Sequence, residues 1–142
     1  MQRTVVESLN RLMITHKSLH RLYLEKLGLF FGQPRLMYQI KIHPQLSQQK
    51  LGERLGVSKE AVSVSVRRLE KKGYIKRETD PSDKRKVLLS LTQSGHDILD
   101  EVLIHQNAAY EQLLEPLNDD QRQHLQTLLE LMLQNDKKED KS

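Results

Sequence analysis

The 142-residue chain contains no cysteine. Disulfides, thiolate metal sites and thiol-based redox switching are therefore excluded. Tryptophan is also absent and aromatics make up only 4% of the residues, so the core must come mainly from Leu, Ile and Val. No apolar run approaches the length of a membrane span. Met1-Gln2-Arg3-Thr4-Val5-Val6-Glu7 is not followed by an uninterrupted apolar stretch. No signal peptide is expected there, and the expected location is the cytoplasm. No Gly-rich phosphate cradle or nucleophile–base arrangement stands out, so neither an enzyme nor a cofactor is expected. The length predicts one folded unit, or one small domain with helical extensions.

What is present is positive charge in one place. The formal net charge is +4, which says little by itself. Between Lys50 and Lys86, however, 12 Lys/Arg face 6 Asp/Glu, against 11 and 13 elsewhere. That concentration is the electrostatic footprint of a phosphate-binding surface.

Periodicity places the elements. Val5, Leu9, Leu12, Leu19 and Tyr23 mark an amphipathic helix over about 4–26, ended by Gly28. Pro34 suits the first position of a second helix, with Leu36, Met37, Ile40 and Ile42 on its buried side and His43-Pro44 closing it. Ser47 caps a short third helix through Leu55, which Gly56 ends. Ser58 caps a fourth, reaching about Lys72. Two strand-like runs, 74–79 and 87–91, flank the polar turn Asp80-Pro81-Ser82-Asp83-Lys84-Arg85-Lys86, predicting a β-hairpin with a basic tip. Thr92 caps a long fifth helix, interrupted at Pro116. Asn118 and Gln121 form a capping box for a sixth, and the polar residues 135–142 are expected to fray. The predicted fold is mainly α with a small β-hairpin wing, a winged helix-turn-helix.

The helix from Ser58 is the candidate reading element. At about 100° per residue, Val62, Ser65, Val66 and Leu69 share a packed side. Glu60, Ser63, Val64, Arg67 and Lys71 share the other. Short side chains allow close approach to a major groove, Ser63 can bond base edges, Val64 suits a thymine methyl, and Arg67 can reach guanine or phosphate. Glu60 can accept from cytosine or orient a basic neighbour. Lys59, Lys71 and Lys72 suit the phosphate backbone. On the hairpin, Asp83 is placed to brace the Arg85 guanidinium for a narrow minor groove, with Lys84 and Lys86 serving the flanking phosphates. A winged-helix module that docks an acidic protein partner is the alternative use of the same surface.

These residues carry a resemblance. Ser47-Gln48-Gln49-Lys50-Leu51-Gly52-Glu53-Arg54-Leu55-Gly56-Val57-Ser58, then Arg68-Leu69-Glu70-Lys71-Lys72-Gly73-Tyr74-Ile75, the wing Asp80-Pro81-Ser82-Asp83-Lys84-Arg85 and the exit Leu91-Thr92-Gln93-Ser94-Gly95 are similar to the MarR (multiple antibiotic resistance) family of winged-helix regulators. The resemblance implies a homodimeric transcriptional regulator, more often a repressor, on double-stranded DNA with a near-palindromic site. Residues 1–33 and 99–142 would then form the dimerisation region around a DNA-binding domain at 34–98. Two reading helices would match half-sites roughly 34 Å apart. Arg85 would be the minor-groove residue, with Asp83 its partner.

The family also implies release by a small ligand, often an anionic aromatic, or by an oxidant or metal. The missing cysteines remove the oxidant branch. An effector cleft lined by His16, Tyr23, Met37, Tyr38 and His105 is the first candidate. Zinc is the alternative: His16 and His20 are one helical turn apart, and His43 and His105 lie on elements that can approach the same junction. No His-x-x-x-His pair continues from His105, because Ala109 stands there, so no metal is assigned.

Overall fold

The computed structural model of the chain describes residues 2–139. Its elements are α1 (Val5–Lys26), α2 (Gln33–Ile42), α3 (Gln48–Leu55), α4 (Lys59–Lys71), β1 (Ile75–Asp80), β2 (Asp83–Leu91), α5 (Gln93–Leu114) and α6 (Asp119–Glu139). Local chemistry sets most boundaries. The Thr4 hydroxyl accepts from the Glu7 N–H at 3.1 Å while the Glu7 carboxylate accepts from the Thr4 N–H at 2.8 Å, a reciprocal cap. Ser47 and Ser58 each cap the third residue of the following helix through their side-chain oxygen. Asn118 and Gln121 form the second reciprocal pair. Helix α2 starts at Gln33, one residue earlier than expected, with Pro34 second. Helix α6 runs to Glu139, where composition predicts a frayed tail from residue 135; residues 140–142 of that tail lie outside the described residues.

The chain forms two compact units, dividing after Ile104 within α5. The first contains the core. Leu24 of α1, Met37 and Ile40 of α2, Leu51 of α3, and Val62, Val66 and Leu69 of α4 meet Ile75, Leu89, Leu99 and Val102. Helix α3 packs on α4, α4 on β1, and α2 on both α3 and β2. Burial of each such side chain stabilises by about 1.5–3 kcal/mol. The helix-turn-helix corner is tight: the Val57 N–H donates to the Gly52 carbonyl at 2.9 Å, and a Cβ on Gly52 would lie 2.7 Å from the Val57 oxygen.

A second junction closes the wing. Strands β1 and β2 pair antiparallel from Ile75↔Leu91 to Thr79↔Val87. Just beyond this root, the Thr92 N–H donates to the Tyr74 carbonyl at 3.0 Å. The Thr92 hydroxyl donates to the Gly73 carbonyl and accepts from the Gly95 N–H. Helix α5 thus begins directly against the end of α4, so closely that a Cβ on Gly95 would collide with the Tyr74 oxygen.

The second unit contains the end of α5 and α6. Arg122 joins them, meeting the Glu111 carboxylate at 3.1 Å and the Leu117 carbonyl at 3.4 Å. Leu128, Leu129, Leu131, Met132 and Leu133 of α6 are exposed, as are Val5, Val6, Met13 and Ile14 of α1 in the first unit. Among the described residues no helix is long and apolar enough to cross a membrane.

Replacing Gly95 by alanine forces the α5 start away from Tyr74. We expect a loss of about 2–3 kcal/mol or more in stability, typical of overpacking against unyielding atoms. Urea denaturation of Gly95→Ala beside Ser94→Ala, at the exposed neighbouring position, checks this.

Candidate nucleic-acid interface

Helix α4 buries Val62, Val66 and Leu69, with Ser65 half-buried beside them on the packed side. Lys59, Glu60, Val64, Arg67, Lys71 and Lys72 are exposed, and Ser63 is half-buried at the border of that outer face. The Ser58 cap fixes the first turn, and the cations gather in the last turns, where the helix dipole favours positive charge.

The wing differs from the expected simple turn. Strand β2 starts at Asp83, and Asp80 pairs with Asp83 while Thr79 pairs with Val87. Lys84, Arg85 and Lys86 therefore have no partners on β1 and form a bulge. All three are exposed. Two aspartates shape this segment through the main chain. Asp80 Oδ1 accepts from the Ser82 N–H at 2.9 Å and from its hydroxyl at 2.7 Å. Asp83 Oδ1 accepts from the Arg85 N–H at 3.0 Å. The expected Asp83–guanidinium brace is thus replaced by a bond to the Arg85 backbone, because two residues apart the carboxylate reaches the nearer N–H first. The Ser82 hydroxyl, then its N–H, hold the Asp80 carboxyl below the usual carboxylate range, helped by Lys86 against the opposing effect of desolvation.

Two contacts leave no mark in the sequence. Arg77 Nε of β1 lies 3.2 Å from Glu70 Oε2 of α4, tying the wing to that helix. The Arg68 guanidinium lies 4.7 Å from the centre of the Phe30 ring, in the α1–α2 connector. The second joins residues far apart in the chain, and no periodic signal marks either.

The expected effector residues differ in burial. Met37 has no exposed surface; it is a core side chain and does not line a cleft. Its neighbour Tyr38 is exposed, since adjacent helical residues turn to different sides. His16 and Tyr23 are half-buried on α1. Burial, and then the Glu101 carboxylate, push the Tyr23 hydroxyl pKa up. His20 packs edge-on to Phe31 with centroids 6.3 Å apart. His43 follows the last turn of α2, and His105 belongs to the second unit. Among the described residues no three His, Cys, Asp or Glu side chains gather to hold a metal ion.

The MarR family profile matches residues 32–87, from the start of α2 through the wing bulge. A helix-turn-helix transcriptional regulator of Bacillus cereus is 31% identical over 110 residues, covering 78% of this chain and 71% of the relative. The chain belongs to the MarR family. SarZ, an HTH-type transcriptional regulator of Staphylococcus epidermidis, is 33% identical over 76 residues, 54% of this chain and 51% of SarZ. The matched region thus spans about half the length of that relative. A mutant of S. aureus MepR superposes with a TM-score of 0.84 at 22% identity, over 94% of this chain and 98% of MepR. A second MepR mutant, bound to an oligodeoxyribonucleotide, gives 0.71, also at 22% identity, over 94% and 99%. These likenesses establish a MarR-type winged helix-turn-helix for the chain.

Ser82→Ala removes the hydroxyl bond that depresses Asp80 most. The Asp80 pKa is expected to rise toward the ordinary aspartate value, about 3.9, in a carboxyl NMR titration. Because the folded carboxyl is depressed, its stabilisation of the turn is present above the ordinary value and is lost as pH falls through the folded pKa. Ser82→Ala should flatten that acid dependence.

Proposed function

We propose that the chain is a homodimeric, sequence-specific DNA-binding transcriptional regulator that acts as a repressor and is released by a small ligand. The observation that carries DNA binding is the pairing, within one compact unit, of an exposed cationic α4 face with a bulged cationic wing. Helix α4 would enter the major groove, with Ser63, Val64 and Arg67 toward base edges and Glu60 orienting a basic neighbour or meeting cytosine. Lys59, Lys71 and Lys72 would sit on phosphates. Arg85 would enter the adjacent minor groove, flanked by Lys84 and Lys86. The oligonucleotide bound by a MepR variant of the same fold supports this reading.

Dimerisation is supported by uncovered apolar surface. Val5 is 84% and Ile14 57% exposed on α1, and Leu131 is 58% exposed on α6. Apolar helix faces of this kind mark association surfaces. A two-fold dimer presents two reading helices, and so favours a near-palindromic site. For ligand release, half-buried His16 and Tyr23 with exposed Tyr38 are the candidate contacts for a small aromatic anion. The assignment to the cytoplasm follows from this function.

Leu131→Asp on the exposed α6 face is expected to convert a dimer to a monomer by light scattering. An unchanged mass would remove α6 from the interface.

Arg85→Ala should weaken binding to DNA selected by the purified protein by about 1–3 kcal/mol, while Arg67→Ala should alter base preference at one position of each half-site. Anisotropy titrations over a salt series test the first. Equal affinities of wild type and Arg85→Ala would overturn the wing assignment. Selection from a random pool tests the second, and an unchanged profile would overturn it.

A further inference from the structure

Helix α4 carries one more exposed cation, Arg68, on the flank beside the outer face, and it pairs with Lys72 at the C-cap. Arg68 and Lys72 are four residues apart, so they share one side of the last turn. Both meet the same ring: the Arg68 guanidinium carbon is 4.7 Å and Lys72 Nζ 6.0 Å from the Phe30 centroid. The Phe30 main chain is held in place. Its N–H donates at 2.8 Å to the Oε1 of Gln33, whose side chain is buried at the start of α2. Lys72 Nζ also lies over Gly28, 3.4 Å from where a Cβ would stand.

The chemistry of the contact matters. Carboxylates occupy the N–H donors of the cations they bind. An aromatic face attracts the charge through its quadrupole and leaves those donors free. A guanidinium stacked on a ring keeps its in-plane N–H groups available for a phosphate. The neighbouring carboxylate, Glu70, is engaged by Arg77. The ring therefore orders two cations without neutralising them. Phe30 is 55% exposed, so the pair is open to a ligand.

We propose that Phe30 is a positioning residue that presents Arg68 and Lys72 as a paired clamp for one DNA backbone phosphate beside the α4 groove contact. This rests on the DNA-binding reading above and adds to it a phosphate site built partly from the α1–α2 connector.

The test is fluorescence anisotropy over a salt series, using duplex selected by the purified protein from a random pool. Phe30→Leu keeps apolar bulk and removes the ring; affinity should fall about three- to tenfold. Phe30→Tyr, which keeps the ring, should bind as wild type. Arg68→Gln with Lys72→Gln should lower the slope of log affinity against log salt by about 0.9 for each phosphate no longer neutralised. Adding Phe30→Leu to that pair should change nothing further, as expected when the ring acts through those cations. A wild-type slope in the double glutamine variant overturns the clamp while Arg85→Ala still weakens binding. A full additional loss from Phe30→Leu in that background overturns the positioning role. If wild type shows no salt-sensitive duplex binding, the DNA reading falls and the clamp with it. Because the two glutamines sit on exposed positions, they test the clamp even if Phe30→Leu does not fold, and Phe30→Met, of similar bulk and without a ring, then tests the positioning role by the same comparison.

Discussion

The junction of Tyr74, Thr92 and Gly95 governs both where the wing leaves α4 and where α5 begins. One carbonyl receives the Thr92 N–H, one hydroxyl links Gly73 to Gly95, and the missing Cβ allows contact at backbone distance. Hydrogen bonds of this kind contribute about 1 kcal/mol each, so their value here lies in position more than in energy. A hairpin of two strands is marginal alone. Anchored at this root and by the buried Ile75, Leu89 and Leu91, it shares one core with α4.

Charge is distributed with similar economy. Cations near structural seams have carboxylate partners, as Arg77 does in Glu70 and Lys41 in Asp100. The cations of the wing bulge instead project from a segment whose aspartates are occupied with backbone N–H groups. Exposed pairs add little to stability, so pairing at the seams chiefly fixes orientation. Turning the wing carboxylates toward the main chain leaves the side-chain donors of Lys84, Arg85 and Lys86 out of those hydrogen bonds.

Helix starts are legible in the sequence because capping is local: Ser47, Ser58, Thr92 and Asn118 each act within three residues of themselves. The α4 faces are legible because the helical period brings Val62, Val66 and Leu69 to one side and turns Arg67 and Lys71 to another. The wing reads as a hairpin but not as a bulge, since pairing register depends on both strands and on their anchoring at Ile75 and Leu91. Spacing points Asp83 at a side chain, but a nearer N–H captures it. Met37 reads as a cleft residue because periodicity alone cannot tell an interior wall from a cavity wall. The contact of Phe30 with Arg68 crosses the fold and leaves no trace in local spacing.

The wing bulge has a consequence for solubility. A two-stranded ribbon offers two open edges, each able to recruit a strand from another chain. Here the outer part of β2 is interrupted at Lys84, Arg85 and Lys86, which breaks the regular ladder and places three like charges where a foreign strand would align. Edge-to-edge growth of the hairpin into a larger sheet is opposed by both geometry and repulsion. The same three residues thus set both the charge of the wing tip and the break in its ladder.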